Sequence, residues 1–290
     1  MTDVLGVCES WADGVCTVRR EDGTTVEIAT ADIVSGKPVP PRPTVHRRLG
    51  AAEADRLALP GWAPVESELL GEWVLRASGG FSSRGNSVLA LGDPGMSLED
   101  AVGHAARWYD ARSLPPRAHV HPRTPAAAAF EDAGWSVYEP TLLMLASVAR
   151  VLRRIGAGPA ATPRHDLAVD DAWLATDERA QRHGDDARTV LQTGVVTFAT
   201  VRDEQGAVIA RGRGAFHDDW VGVSSLWTRP DLRGTGLGTA VLRSLLSWGA
   251  EQGATTTYLQ VVESNEAAQA VYAARGYEVH HRYDYVGPQA

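Results

Sequence analysis

Lysine is almost missing from this chain: of its 28 basic residues only Lys37 is one. The preference for arginine reads as the composition of a G+C-rich bacterial genome and has no bearing on mechanism. Cysteine is nearly as scarce. Cys8 and Cys16 fit neither the spacing of a metal site nor a disulfide framework, so a reducing cytoplasm is the expected location. No apolar run approaches the ~20 residues of a membrane span. The opening Met-Thr-Asp-Val-Leu-Gly-Val-Cys-Glu has no basic segment followed by an apolar core, so no signal peptide is expected. Positive charge is in deficit too, with a formal net charge of −8. A nucleic-acid partner would favour a basic surface, and this balance argues against one. It does not exclude a small polyanionic ligand. Beyond about 8–10 Å physiological salt screens the general negative field. Each charge-assisted hydrogen bond at a site contributes about 1.5–3 kcal/mol, so local geometry decides. His104, His119 and His121 are scattered without metal-ligand spacing, and no metal is expected from them.

What the chain does have is 290 residues, enough for two or three compact units, and an ordinary globular composition. It is organised around Leu226-Trp-Thr-Arg-Pro-Asp-Leu-Arg-Gly-Thr-Gly-Leu-Gly238. Val221–Thr228 before it is rich in β-formers and reads as a strand ended by Pro230. Thr239–Gln252 after it places Val241, Leu242, Leu245, Leu246 and Trp248 at helical spacing, with Gly253 as the stop. A strand, a glycine loop and a helix in that order make an anion site, because amides at a helix start are unpaired and the macrodipole adds positive potential. Gly234, Gly236 and Gly238 let a phosphate approach the backbone, and Arg233 adds a cation. The loop is not a nucleotide P-loop, since it lacks Gly-Lys-Ser/Thr, nor the Gly-x-Gly-x-x-Gly of dinucleotide folds.

The loop matches the Arg/Gln-x-x-Gly-x-Gly/Ala pattern of the GNAT superfamily of acyl-CoA-dependent N-acyltransferases at Arg233, Gly236 and Gly238. A second strand, Thr256–Val262, leads to Asn265 and a helix carrying Tyr272, closed by Gly276-Tyr277. That Asn-x6-Tyr-x3-Gly-aromatic run resembles the other half of the GNAT site. The resemblance covers roughly residues 190–286. It implies acetyl-CoA as acyl donor and a primary amine, small-molecule or protein, as acceptor. Backbone groups of Leu226 and Thr228 would bind the pantetheine arm, with Trp227 pointing away by strand alternation. Amides of Gly234, Thr235, Gly236, Leu237, Gly238 and Thr239 would hold the pyrophosphate, and Asn265 would help to position the donor while capping its helix. Tyr272, two turns after Asn265, would be the general acid for the departing thiolate. A phenol near ~10 and a thiol near ~8.5 make full proton transfer uphill by about 2 kcal/mol, so the site must tune or share that proton. The base stays open among Asp218, Asp219, His217, Glu263 and water. Some relatives carry a glutamate where this chain has Gln260, which cannot take a proton.

The rest of the chain is read around that half. Residues 1–44 show short strands at Asp3–Trp11, Gly14–Arg20, Thr24–Ala29 and Asp32–Ser35, separated by Gly14 and the Glu21-Asp-Gly23 turn. They suggest an SH3-like or Tudor-like barrel. Seven carboxylates against four cations give it −3, so docking or homodimerisation is expected of it rather than RNA binding. Gly36–Pro43 reads as a stiff proline-rich linker. Residues 45–150 look like a worn copy of residues 151–290, with Gly92 and Gly134 each 142 residues before Gly234 and Gly276. In the copy Val45–Leu59 reads as a helix, Glu72–Ala77, Asn86–Leu91 and Leu142–Ala146 as strands, and Arg154–His165 as a linker. Leu91 replaces Arg233, Asp93 Thr235, Pro94 Gly236, Phe130 Tyr272 and Arg123 Asn265. Proline removes an amide donor and aspartate adds the wrong charge, so this half is expected to be structural. In the second half Asp171–Gln192 reads as two short helices broken near Gly184. Val195–Val201 and Ala207–Phe216 form a hairpin, and 256–262 lies parallel to 221–228.

The expected architecture is thus an α/β (α+β) GNAT fold: a mixed, mostly antiparallel sheet flanked by helices, tandem with a degenerate first half, plus the small barrel. The order resembles an actinobacterial group of GNAT proteins sometimes labelled histone-acetyltransferase-like. The expected function is acetyl transfer to an amine by direct attack in a ternary complex. A non-catalytic acyl-CoA sensor is the alternative.

Overall fold

Short alternating stretches separated by glycine turns make the first part of the chain extended. Strands β1 (Val7–Ala12), β2 (Val15–Arg19) and β3 (Thr25–Ala29) form an antiparallel sheet in that order. The computed structural model describes residues 4, 6–20, 23–36, 48–156 and 161–289. It divides into two units, Met1–Thr44 and Val45–Ala290. Among the described residues the first unit is a small three-stranded β structure, and the expected barrel is not closed. A 3-10 turn over Thr30–Asp32 stands where a fourth strand was expected to start. The Cys8 and Cys16 sulfurs lie 3.7 Å apart as free thiols. Most of the 36–43 linker, the Glu21-Asp22 part of the turn and the start of the 45–59 helix lie outside the described residues.

The second unit is built twice from one plan. Its first half contains α1 (Ala51–Ala58), β4 (Glu66–Leu70), β5 (Trp73–Ala77), β6 (Val88–Leu89), α2 (Leu98–Asp110), β7 (Ala118–Val120), α3 (Pro125–Asp132) and β8 (Trp135–Ser147). Helix α4 (Val148–Ile155) leads into β9 (Arg164–Asp166), α5 (Asp171–Leu174), α6 (Glu178–Leu191), β10 (Val195–Arg202), β11 (Val208–His217) and β12 (Trp220–Thr228). Then follow α7 (Leu237–Gln252), β13 (Thr256–Val262), α8 (Glu266–Ala274) and β14 (Glu278–Pro288). The 142-residue offset holds at element ends: Asp110 with Gln252, Val120 with Val262, Asp132 with Ala274.

All strands from β4 on share one eleven-stranded sheet, ordered β4-β5-β6-β7-β14-β8-β13-β12-β11-β10-β9. The order contains an exchange. The last strand of the first half, β8, pairs with β13 of the second, and the last strand of the second, β14, pairs with β7 of the first. The two exchanged strands also pair with each other. The expected division at 150/151 therefore falls inside a helix, within a unit whose halves complete each other's sheet.

Side-chain alternation gives this sheet two covered faces. Leu142, Met144, Val221 and Val223 face α7, where Val241, Leu242, Leu245 and Leu246 close a core. Leu143, Leu145, Trp220 and Tyr258 face the opposite way, against Ala54 and Ala58 of α1. Helix α4 stands where part of the 154–165 linker was expected. Val148, Val151, Leu152 and Ile155 form the apolar stripe that packs it on the α7 side. Helix α6 is interrupted at Gly184 (φ 47°, ψ −114°), as the sequence suggests. No helix of the described residues is long and apolar enough to cross a membrane.

Candidate active site

Strands β12 and β13 start as a parallel pair and then part. Pairing runs only from Trp220↔Thr256 to Gly222↔Tyr258, although each strand stays paired on its other side, to Thr228 and Val262 respectively. The ring of Tyr258 helps to start the gap. It crosses beneath Gly222, where a Cβ would lie 2.5 Å from its Cζ, so only glycine fits there. Past the last paired residues, β12 carries a bulge: the register with β11 shifts between Arg211↔Trp227 and Arg213↔Ser224, and Ser225 has φ 54°. The bulge resets the alternation, so Leu226 packs toward α7 while Trp227 lies beside the Arg211 guanidinium, 5.8 Å from ring centroid to Cζ.

The glycine loop follows at the open end of this gap. Gly236 is the N-cap of α7 in the left-handed conformation (φ 92°), which glycine adopts without strain. The first helical bond runs from the Ala240 amide to the Gly236 carbonyl, so the amides of Leu237, Gly238 and Thr239 have no intrahelical acceptor. Thr235 differs from expectation: its amide and hydroxyl both turn inward onto the Leu232 carbonyl, at 3.4 and 2.7 Å. Arg233 is exposed and rests its Nε 3.4 Å from the Thr228 carbonyl. One cation at this loop escaped the sequence reading. Arg275, at the end of α8, donates from Nη2 to Thr239 Oγ1 at 2.5 Å. Its sign was available, since an arginine directly before Gly276-Tyr277 must lie near the end of α8.

Asn265 caps α8, its Oδ1 accepting from the Ala268 amide at 3.1 Å. Tyr272 sits on the same helix, partly buried against the α7 core and edge-on to Tyr277 at 5.8 Å between centroids. Burial pushes its phenol above the ordinary range, with Arg275 pulling slightly the other way.

A small cavity lies under the gap, lined by residues from both halves: Gly61, Trp62 and Arg84 from the first, Arg213, Ser224, Tyr258 and Gln260 among those from the second. Ser224 Oγ, Gln260 Oε1 and Arg84 Nε are all buried there without a hydrogen-bond partner. Buried polar atoms are normally satisfied, and the space of about 10 Å³ between these three suits one bridging water. Arg213 is 1% exposed and donates to the carbonyls of Leu191, Gly61 and Thr193. Burial lowers it to about 10, so it is charged at neutral pH. Neither Arg84 nor Arg213 has a carboxylate partner among the described residues. Sequence reasoning missed Arg84 and Trp62 because they belong to the worn half. The one hint is an arginine inside the Gly- and Ser-rich stretch Ser78–Ser87.

The candidate bases separate by position. Asp218 and Asp219 form the β11–β12 turn, at the start of β12, roughly 20 Å of strand away from Leu226–Thr228. Asp219 Oδ2 accepts from Thr255 Oγ1 there. His217 is tied by Nε2 to the Leu57 carbonyl at 2.5 Å, and burial lowers its pKa. Glu263 stands at the open end of β13 but is paired with Arg282 at 3.3 Å.

The corresponding loop of the first half is closed by its own acids. Glu72 Oε2 accepts from the Asp93 amide and Asp93 Oδ1 from the Gly95 amide, at 2.7 and 2.8 Å. Phe130, in the place of Tyr272, is fully buried and stacked on Trp73 at 5.7 Å.

The chain resembles known proteins over most of its length. The chain is 26% identical over 302 residues to the probable histone acetyltransferase Rv0428c of Mycobacterium tuberculosis, covering 100% of this chain and 90% of that protein. It is 26% identical over 233 residues to the uncharacterized N-acetyltransferase YobR of Bacillus subtilis, covering 77% and 92%. A tandem GNAT protein from the clavulanic acid biosynthesis pathway shares the fold, with a TM-score of 0.55 at 18% identity over 83% of this chain and 91% of that one. The profile of the family described as probable histone acetyltransferase Rv0428c C-terminal matches residues 47–286. With that match over most of its length, the chain belongs to this family and is a GNAT acyltransferase.

Proposed function

We propose that this is a cytoplasmic enzyme that transfers the acetyl group of acetyl-CoA to a primary amine by direct attack in a ternary complex, using the second half only. The observation that carries the reading is the parting of β12 and β13 beside a helix N-terminus with free amides. The gap takes the pantetheine arm on the Leu226 and Thr228 backbone. The amides of Gly236 to Thr239, with Arg233 and Arg275, take the pyrophosphate. The acceptor amine enters from the cavity side and attacks the thioester carbonyl carbon. The carbon–sulfur bond breaks and Tyr272 protonates the thiolate. The proton lost by the amine leaves through water held on Ser224 Oγ and Gln260 Oε1, since neither residue is a base and the acids of the β11–β12 turn are too far away.

Arg84 and Arg213 also narrow the acceptor. Two guanidinium groups without carboxylates disfavour a second cation and attract an anion. They also lower the pKa of an amine bound beside them, favouring the free base that attacks. An amine that carries a carboxylate suits the charge on this side of the gap better than a polybasic peptide.

The test is a panel of amines with and without a carboxylate, following release of CoA thiol. Carboxylate-bearing amines are expected to turn over. Arg84→Ala is expected to raise their KM by roughly tenfold, the range of a lost hydrogen bond to a charged group, with little change for neutral amines. Tight CoA binding without turnover of any amine would favour the sensor instead.

A further inference from the structure

Three imidazoles converge on one carboxylate oxygen across the joint of the two halves. Asp55 Oδ2, on α1, receives Nε2 of His119 at 3.0 Å, of His121 at 2.7 Å and of His281 at 3.1 Å. His119 lies on β7, His121 directly after that strand, and His281 on the neighbouring exchanged strand β14. The cluster is dry: side-chain exposure is 1% for Asp55, 3% for His119, 14% for His121 and 9% for His281. Ligand atoms of Asp55, His119 and His121 lie within 4.8 Å of one another.

Hydrogen bonding alone accounts poorly for this geometry. A carboxylate oxygen offers about two lone-pair sites, yet Oδ2 faces three ring nitrogens while Oδ1 is buried with no partner. The far side of His281 is held as well: its Nδ1 lies 2.8 Å from His280 Nδ1, and His280 Nε2 donates to the Leu49 carbonyl at 3.1 Å. A ligating histidine is commonly fixed in this way, by a hydrogen bond at its other ring nitrogen.

We propose that Asp55, His119, His121 and His281 bind one divalent transition-metal ion of the zinc class. Three imidazoles and one carboxylate suit zinc rather than magnesium or calcium, which prefer oxygen donors. Tetrahedral zinc with bonds of about 2.0–2.2 Å sets its ligand atoms about 3.3 Å apart. Asp55, His119 and His121 already lie within 4.8 Å of one another, and His281 Nε2 stands 3.1 Å from Asp55 Oδ2. Four protein ligands and a buried position leave no open site, so the ion is structural. It clasps α1 and β7 of the first half to β14 of the second, where the strands are exchanged. Sequence spacing conceals it, because His119 and His121 meet a partner about 160 residues away.

The test uses the full untagged chain, purified without chelators, incubated with zinc sulfate and desalted before elemental analysis. About one zinc per chain is expected. Less than about a tenth of an equivalent would overturn the site. In Asp55→Asn and His121→Gln the content should fall about tenfold or more, while His104→Gln, elsewhere in the same half, keeps it. Full retention in a folded Asp55→Asn or His121→Gln chain would also overturn it. Should those variants fail to fold, the wild-type chain loaded with cobalt(II) decides. The intense visible absorption of four-coordinate cobalt supports the site, and a weak six-coordinate spectrum or no uptake overturns it.

Discussion

Arg275 and Thr239 join the end of α8 to the first turn of α7, through Nη2 and Oγ1 at 2.5 Å. The same guanidinium holds the Val271 carbonyl from Nη1 at 2.7 Å, so its charge is fixed beside the open amides of the glycine loop. Arg275→Ala is expected to weaken acetyl-CoA binding roughly ten- to hundredfold, the range for loss of a charge-assisted bond, with kcat nearly unchanged. Calorimetric titration measures it. An unchanged Kd would make Arg275 a helix tie and nothing more.

One donor site per chain is expected, because Glu72 and Asp93 already occupy amides of the other loop. Gly236→Asp should abolish binding altogether: it places a side chain at φ 92° and an anion where the pyrophosphate goes. Two equivalent sites in the titration of the full chain would contradict the asymmetry between the halves.

Tyr272→Phe keeps the ring against Tyr277 and removes only the hydroxyl. Turnover should fall roughly 10²–10⁴-fold with acetyl-CoA affinity near wild type. Burial raises the pKa of the Tyr272 phenol, so it stays protonated to higher pH than a free phenol. The alkaline limb of kcat set by its ionisation should therefore lie above the ordinary tyrosine range, and Tyr272→Phe should lack it. Wild-type turnover in the variant, with chemistry rate-limiting, would return Tyr272 to the core.

Residues 151–290 alone are expected not to fold. Without β8, strands β13 and β14 lose the neighbour between them, and Leu142, Met144 and Ala146 leave the α7 core. The fragment should show no cooperative melting by circular dichroism. A monomeric fragment with a sharp transition would mean that the exchange is dispensable.

Deleting residues 1–44 removes a separate unit and no residue of the candidate site. Acetyl-CoA affinity should stay within a few-fold of wild type. A folded deletion variant that no longer binds the donor would show that the site is incomplete without that unit.

Local chemistry made much of the second half legible in the chain itself. Gly234, Gly236 and Gly238 between a β-rich stretch and an apolar helical period can hardly be other than a strand, loop and helix, and Asn265 is a cap by its position before an alanine-rich run. The 142-residue repeat was legible for the same reason, since Gly92 and Gly134 are needed by turns of the same kind. Other features had a local sign that was easy to pass over, such as the Val148, Val151, Leu152 and Ile155 stripe of α4. Long-range pairing decided the remainder. Which strand fills the slot beside β13 depends on competition among edges with similar patterns, and only the packed sheet selects β8. The same selection carries Arg84 of the worn half into the cavity under Gln260. It also gathers Asp55, His119, His121 and His281 around one point, although no spacing along the chain connects them.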